Sequence, residues 1–252
     1  MKRNLVAIVM LGGAALVAVP AIAADPIVYD EPVYKDYVPP YVPEVDDGLK
    51  GSFYLRGSVG GNMAWAYRVN HPSLDPSTYD VQQVGWGYSA GIGAGYETGD
   101  GMRFDVTVDY LQSDGMAIDI PDGSGAAEGS YSLGLRSTIA LANAYYDFGF
   151  GDMGLSAAGG AFGYVGAGVG VAFNRMATDE PGSDGYQFWG SNTSFAAAGM
   201  AGVGYDFGDA VADLGYRALY INEIANADAP NPYSIDHTLI HEIRASLRYR
   251  FN

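Results

Sequence analysis

The residues of this chain that could do chemistry are charged side chains spaced two positions apart near its end. Glu242, Arg244, Arg248 and Arg250 occupy even positions, whereas the odd positions of 241–251 are mostly apolar. Successive side chains of a strand point to opposite faces, so this segment has one charged face and one apolar face. A strand that separates lipid from a polar interior satisfies both faces.

The same alternation assigns further charged residues to the interior, and it predicts a lumenal charge network. Six arginines face five carboxylates there, so their charges nearly cancel. The interior of an eight-stranded barrel is only wide enough for side chains, and arginine suits bidentate pairing with carboxylates. We therefore predict a packed network of salt bridges, with a narrow ion path as the alternative. Its members are Arg56, Glu97, Arg103, Asp105, Asp109, Asp213, Arg217, Glu242, Arg244, Arg248 and Arg250.

The elements that position these residues are eight strand-like segments with alternating hydrophobicity. Short connections and longer polar loops follow one another in turn, which is typical of an outer-membrane barrel with both termini at the short-turn end. The sequence thus predicts an all-β fold, an eight-stranded antiparallel transmembrane β-barrel. The segments lie near 51–67, 83–97, 102–112, 131–148, 157–173, 194–207, 210–221 and 238–251, and the long loops near 68–82, 112–130, 174–193 and 222–237.

Two segments are irregular. In the fourth, the early apolar residues Leu133 and Leu135 are out of phase with Ala142 and Ala144, which predicts a bulge or a start at a different residue. The uncharged stretch 153–173 could instead be a spanning helix, but its seven glycines favour a strand. We interpret its glycines, and those near residue 93, as small inward positions that keep the barrel narrow.

The N-terminal part divides into two further regions. Residues 1–23 combine a short basic start, an apolar run and a small-residue cleavage pattern, so we expect a signal peptide. Residues 24–50 are rich in proline and acidic residues, which predicts an extended periplasmic tether. The barrel domain is then 51–252. The expected localisation is the outer membrane of a Gram-negative cell, with the N-terminal segment in the periplasm.

Composition excludes several classes of function. The chain has a formal net charge of −16, which argues against nucleic acid as a partner. It contains no cysteine, so disulfides and thiolate sites are excluded. Its histidines are His71, His237 and His241, and only His71 and Ser73 resemble a catalytic pair, the His-x-Ser of a lipid-modifying barrel enzyme. We predict no catalytic site, no metal site and no cofactor.

Four short motifs resemble a known family. They are Ala142-Asn-Ala-Tyr-Tyr-Asp-Phe148, Tyr164-Val-Gly-Ala-Gly-Val-Gly170, Asp213-Leu-Gly-Tyr-Arg217 and Leu247-Arg-Tyr-Arg-Phe251. Their order and spacing resemble the small OmpA-like outer-membrane barrels, in particular the major outer-membrane proteins of alphaproteobacteria such as Brucella and Rhizobium. The resemblance covers about residues 50–252. Those proteins usually end on the aromatic residue, whereas Asn252 follows Phe251 here.

The resemblance implies a structural role in the cell envelope. It implies that Tyr249 and Phe251 form the signal read by the barrel-assembly machinery. The expected location makes outer-membrane lipid and lipopolysaccharide further partners. In this family a mature chain that begins Ala-Asp can be joined to peptidoglycan, which makes Ala24 and Asp25 the candidate attachment site. The alternatives are a narrow porin-like channel or a lipid-modifying barrel enzyme.

Overall fold

A computed structural model describes residues 51–71, 73–75, 77–149, 160–182, 184–185, 187–228 and 232–251. The predicted signal peptide 1–23 and tether 24–50 lie outside the described residues, as does the connection 150–159. None of the described residues forms a helix of the length and apolar character that crossing a membrane requires.

The described chain forms ten antiparallel strands, and eight of them close into a ring. In the ring, β1 pairs with β4 and with β10, and β4 to β10 follow in chain order. The short strands β2 and β3 continue β1 and β4 beyond a bend, so that they pair with each other, with β10 and with β5. The eight-stranded antiparallel barrel is therefore confirmed. The strands are β1 (Ser52–Trp65), β2 (Arg68–Asn70), β3 (Thr78–Gln83), β4 (Gly85–Glu97), β5 (Met102–Ile120), β6 (Gly129–Gly149), β7 (Gly160–Asp179), β8 (Gln187–Asp206), β9 (Ala210–Ala225) and β10 (Ser234–Phe251).

The outside of the barrel is a broad apolar surface. Outward side chains such as Ile92 and Val59 are 73% and 62% exposed, which is unusual for large aliphatic residues in water. Aromatic side chains lie at both ends of this surface, for example Tyr249 near the termini and Trp86 at the opposite end. An apolar band between two aromatic girdles is the exterior that a bilayer requires of a barrel.

The predicted long loops are wrong, because the strands extend well beyond the apolar band. The connections at that end are only residues 71–77, 121–128, 180–186 and 226–233. The physical reason is an apolar cluster inside the extended part of the barrel, where Ile118, Leu133, Met176 and Ile235 are buried together. Burying these side chains stabilises the strand pairing that surrounds them. The interior therefore has two parts, which we call the charged tier, near the termini, and the apolar tier.

The apolar tier also explains why the predicted irregularity in β6 is wrong. Leu133 and Leu135 point inward, whereas Ala142 and Ala144 point outward, and β6 keeps one phase throughout. The bulge lies in β5 instead, between Ser113 and Met116. Reading every apolar residue as lipid-facing created the conflict, because inward positions change from polar to apolar along the strand.

Inward glycines give neighbouring side chains the room that a narrow barrel needs. A Cβ atom on Gly91 would lie 1.9 Å from an Asp109 carboxylate oxygen, and one on Gly168 would lie 2.0 Å from the Asn143 side-chain oxygen. Both distances are far inside van der Waals contact. Gly57, in contrast, points outward and a Cβ there would meet nothing within 4 Å.

This difference predicts opposite outcomes for two glycine substitutions. Gly91→Val should displace Asp109, so that most molecules of this variant fail to close into a folded barrel. Gly57→Val should fold normally. Folded barrels in SDS migrate differently before and after heating, so the fraction that shifts on a gel measures closure. Equal folded fractions for the two variants would contradict the close packing described here.

Candidate functional site: the charge network inside the barrel

The eleven charged residues assigned to the interior all lie on inward positions of β1, β4, β5, β9 and β10. They occupy the half of each strand nearer the termini and together form the charged tier. Arg103 and Arg248 are among the largest fully buried side chains of the protein. A buried charge is tolerated only where opposite charges and hydrogen bonds compensate it, so the contacts of each member decide what the network can do.

One cluster joins three strands next to the apolar tier. Asp109 of β5 accepts hydrogen bonds from Arg217 of β9 and Arg244 of β10, both at 2.6 Å. Arg217 also pairs with Glu242 of β10, and Arg244 lies 3.8 Å from the same carboxylate. Both carboxylate side chains have no exposed surface. This cluster holds two cations and two anions, and so it neutralises itself.

A second cluster is centred on the carboxylate of Asp105. Arg56 forms an ion pair with it at 3.0 Å, Tyr54 donates a hydrogen bond to it at 3.0 Å, and Asn143 donates another at 2.7 Å. Arg56 in turn donates to the Tyr145 hydroxyl at 2.8 Å. Two oxygens of Asp105 therefore accept three donors, two from β1 and one from β6, so the cluster joins β1, β5 and β6.

A third cluster closes the end of the barrel near the termini. Arg103 donates three hydrogen bonds to the two carboxylate oxygens of Asp147, the shortest at 2.9 Å, and it stacks on the ring of Tyr145 at 4.1 Å. Arg248 and Arg250 share Glu97, and Arg250 also pairs with Asp206 at 2.7 Å. Because this cluster joins the last strand to β4 and β8, it ties the closing strand to the ring.

Sequence reasoning missed several members of the network. Asp147 was left out because the phase of β6 was unsettled, although its alternation with the outward Tyr146 would have placed it inside. Asp206 lies at the end of β8, where the pattern is short. Tyr54 and Tyr164 also point inward and donate hydrogen bonds to Asp105 and Asp213, respectively, and neither was predicted as a member of the network.

The completed network is nearly neutral and leaves little space. With Asp147 and Asp206 included, seven carboxylates face six arginines inside the barrel. The cavity beside Arg56, Arg217 and Ser246 has a volume of about 20 Å³, and one in the apolar tier has about 10 Å³. Cavities of this size hold about one water molecule at most. The arrangement can pair charges and fix strands, and neither of these two cavities has space for a hydrated ion.

The histidines lie away from this network. His71 is buried in the connection between β2 and β3, where its ring packs edge-on against Tyr233 and its Nδ1 accepts a hydrogen bond from the Ser73 backbone N–H at 3.3 Å. Burial lowers the pKa of His71, which favours the neutral form that accepts this bond. His237 and His241 stack on outward tyrosines of β9. Within the described ranges, no group of three or more His, Asp or Glu side chains could hold a metal ion.

The remaining candidate residues lie at the two ends of the mature chain. Tyr249 and Phe251 are exposed on the outer face of β10, with their ring centres 5.3 Å apart. The candidate attachment residues, Ala24 and Asp25, lie outside the described residues. Ser52, the first residue of β1, pairs at the same end of the barrel as Phe251, next to the charged tier.

Comparisons with known proteins identify relatives. No family model matches the chain. An uncharacterized protein of Brucella abortus (strain 2308) is 30% identical, and the alignment covers 100% of both chains. Two solved structures are also similar. Neisserial surface protein A is 25% identical with a TM-score of 0.48, and the match covers 80% of this chain and 99% of that one. The outer membrane protein OprG from Pseudomonas aeruginosa is 15% identical with a TM-score of 0.44, and the match covers 80% of this chain and 96% of that one.

The first cluster, around Asp109, predicts a large loss of stability when one of its two arginines is removed. Arg217→Met should strand Asp109 and Glu242 as buried, partly unpaired carboxylates and lower the free energy of unfolding by roughly 3 kcal/mol or more. The matched control is Arg68→Met, because Arg68 is half-exposed and its 3.5 Å pair with Asp80 is open to solvent. That change should cost less than about 1 kcal/mol. Urea unfolding in lipid vesicles measures both, and similar costs would contradict the burial of the cluster.

Proposed function

The chain belongs to the family of the Brucella abortus protein, and on that premise we propose that it is a structural β-barrel of the outer membrane that does not conduct ions. The observation that carries the proposal is the filled interior, in which paired charges and an apolar tier follow one another along the barrel axis. A channel needs a continuous wet path, and an enzyme needs a cleft with reactive groups. A sealed barrel instead supplies a rigid anchor.

The outer surface supports insertion into a bilayer. In the described strands, the outward positions between the two aromatic rows carry no Asp, Glu, Lys or Arg. A charged residue on the lipid face costs up to about 2–4 kcal/mol at the middle of the membrane, so a charge-free band suits lipid. The short turns, near 98–101 and 207–209, and both ends of the barrel chain lie at one end, which we assign to the periplasm.

The narrow channel is the alternative that the interior argues against. An ion would have to displace the Arg217–Asp109–Arg244 contacts and then pass the buried side chains of the apolar tier. The first step strands charges, and the second places an ion among aliphatic groups, which is unfavourable. Two barriers of different chemistry in series make conduction slow even if one of them opens transiently.

We therefore predict that the purified barrel, inserted into planar lipid bilayers, gives no stable conductance steps. The double variant Asp109→Ala/Ile118→Ala, which removes one side chain from each tier, should give at least intermittent steps. Each single variant should remain closed, because the other tier still blocks the path. Frequent steps of nanosiemens size from the unaltered protein would favour the channel over the structural barrel.

The structural role that we propose includes a connection to the cell wall. Residues 24–50 would run from the periplasmic end of the barrel, and about 27 residues at roughly 3.1 Å each in polyproline form span some 80 Å. That length is sufficient to carry the amine of Ala24 well away from the membrane. The family resemblance implies that this amine, followed by Asp25, is joined to a peptidoglycan stem peptide. The barrel would then be the membrane half of a covalent tether.

The assembly of the barrel fits the same proposal. Tyr249 and Phe251 present two adjacent aromatic rings on the lipid face of the closing strand, where the barrel-assembly machinery could bind them. The partners that we propose are therefore this machinery during insertion, outer-membrane lipid and lipopolysaccharide around the band, and peptidoglycan at the periplasmic end. Such partners require no catalytic group.

The tether predicts a covalent product. Muramidase digestion of purified cell walls should release the protein with muropeptide mass on Ala24, and Asp25→Ala should abolish that mass. The matched control is Asp30→Ala, which removes an acid from the same segment but leaves the terminal Ala-Asp pair intact. Mass spectrometry of the N-terminal peptide measures the product. A free Ala24 amine on all protein, from growing and stationary cells alike, would overturn the tether while leaving the barrel proposal intact.

A further inference from the structure

A pair of arginines on the outside of the barrel has no role in the function proposed above. Of the nine arginines in the described part of the chain, six point into the charged tier, and Arg68, Arg136 and Arg175 point outward. Arg136 of β6 and Arg175 of β7 are direct cross-strand partners. Like charges placed opposite each other destabilise a sheet, so this pair is unexpected in a chain with 29 acidic and 13 basic residues.

The position of the pair is the first clue to its ligand. The preceding row toward the middle of the barrel wall is Thr138 opposite Phe173, and Thr138 also pairs with Tyr110 of β5. Both aromatic rings belong to the girdle at the apolar-tier end. Arg136 and Arg175 therefore lie one row beyond the aromatic girdle, at the level where lipid headgroups meet the protein.

The surroundings of the pair hold it in place without neutralising it. The Trp189 ring of β8 lies 5.4 Å from the guanidinium carbon of Arg136 and 5.9 Å from that of Arg175. Asp114, at the β5 bulge, forms a 2.7 Å ion pair with Arg136. Among the described residues, no carboxylate lies within salt-bridge distance of Arg175. Asp228 bonds Ser191, the strand partner of Arg175, at 2.8 Å, but of the two arginines only Arg136 forms an ion pair among the described residues.

We propose that Arg136, Arg175 and Trp189 form a binding site for the phosphate group of a phosphorylated glycolipid in the outer leaflet. Neighbouring strands are about 4.8 Å apart, so two long side chains on adjacent strands can converge on one phosphate. Guanidinium groups bind phosphate with paired, charge-assisted hydrogen bonds, and Arg136 is already oriented by Asp114. The indole ring of Trp189 is suited to the interface between acyl chains and headgroups. The site rests on the proposed function, because it requires the apolar-tier end to face the outside.

Arg68 provides a matched control within the same protein. It also points outward at the apolar-tier end, and it stacks on the ring of Tyr67 at 4.7 Å. Unlike Arg175, it has its own carboxylate, Asp80, at 3.5 Å, and it has no arginine opposite it, because its strand partner is Asp80 itself. If arginines at this end bound lipid only through a general attraction, substituting Arg68 would weaken lipid binding as much as substituting Arg175. If Arg136 and Arg175 form a specific phosphate site, only substitutions in that pair weaken it.

The test is native mass spectrometry of the full mature protein in detergent, titrated with diphosphoryl lipid A and with dephosphorylated lipid A. The unaltered protein should bind the diphosphoryl form at least 10-fold more tightly. Arg175→Gln should remove most of this preference, Arg136→Gln should weaken it, and Arg68→Gln should leave it unchanged. Equal binding of both lipids, or an equal loss in the Arg68 variant, would overturn the proposed site.

Two further measurements separate the possible sources of failure. Inorganic phosphate at 10-fold excess over lipid A should not displace it, and displacement would assign the site to free phosphate instead of a lipid. All variants should keep the heat-dependent gel shift of the folded barrel, so that a loss of binding is not a loss of fold. If the barrel proposal itself fails, the unaltered protein will show no gel shift or will conduct, whatever its lipid preference.

Discussion

The interior of an eight-stranded barrel is only wide enough for side chains, so its inward charges are compensated mainly by one another. This constraint explains why carboxylates such as Asp105 and Asp109 each contact groups from more than one strand. It also explains the inward glycines, because Asp109 occupies the space that a side chain on Gly91 would need. Closure of the ring therefore depends on the pairing of the inward charges. Removing the partner of one charge should destabilise the ring as well as the network.

The two tiers fill the barrel by different kinds of interaction. The charged tier fixes the strands by directional contacts, whereas the apolar tier fills the extended end with aliphatic side chains that need no partner. Together they fill the interior of the barrel, which suits the structural role proposed above better than it suits a pore. The functions proposed above therefore concern the surfaces of the barrel, including the outward arginines, and not its interior.

Much of this architecture could be predicted from alternation alone, because a strand that separates lipid from a polar interior repeats every two residues. The inward phase of Glu242 to Arg250 needed nothing more. The apolar tier could not be predicted in this way, because Leu133 and Ile118 have the same chemistry as lipid-facing residues and differ only in phase. The pairing of partners, such as Arg217 with both Asp109 and Glu242, depends on the register around the ring, which no local pattern contains. Arg175 continues the outward phase of Phe173, so its outward position could be predicted. Its pairing with Arg136 could not, because that pairing depends on the register between β6 and β7.

The central claim is that the interior is sealed, and the absence of cysteine makes it directly measurable. Ser246 lies beside the small cavity of the charged tier and bonds Asp213 at 3.0 Å, whereas Ser73 is exposed in a connection outside the barrel. Single cysteines at these positions can be treated with a small charged thiosulfonate reagent in lipid vesicles. The account predicts that Ser73→Cys reacts within seconds and that Ser246→Cys stays unmodified until the barrel is unfolded. Rapid modification of Ser246→Cys in the folded protein, at a rate similar to that of Ser73→Cys, would contradict it.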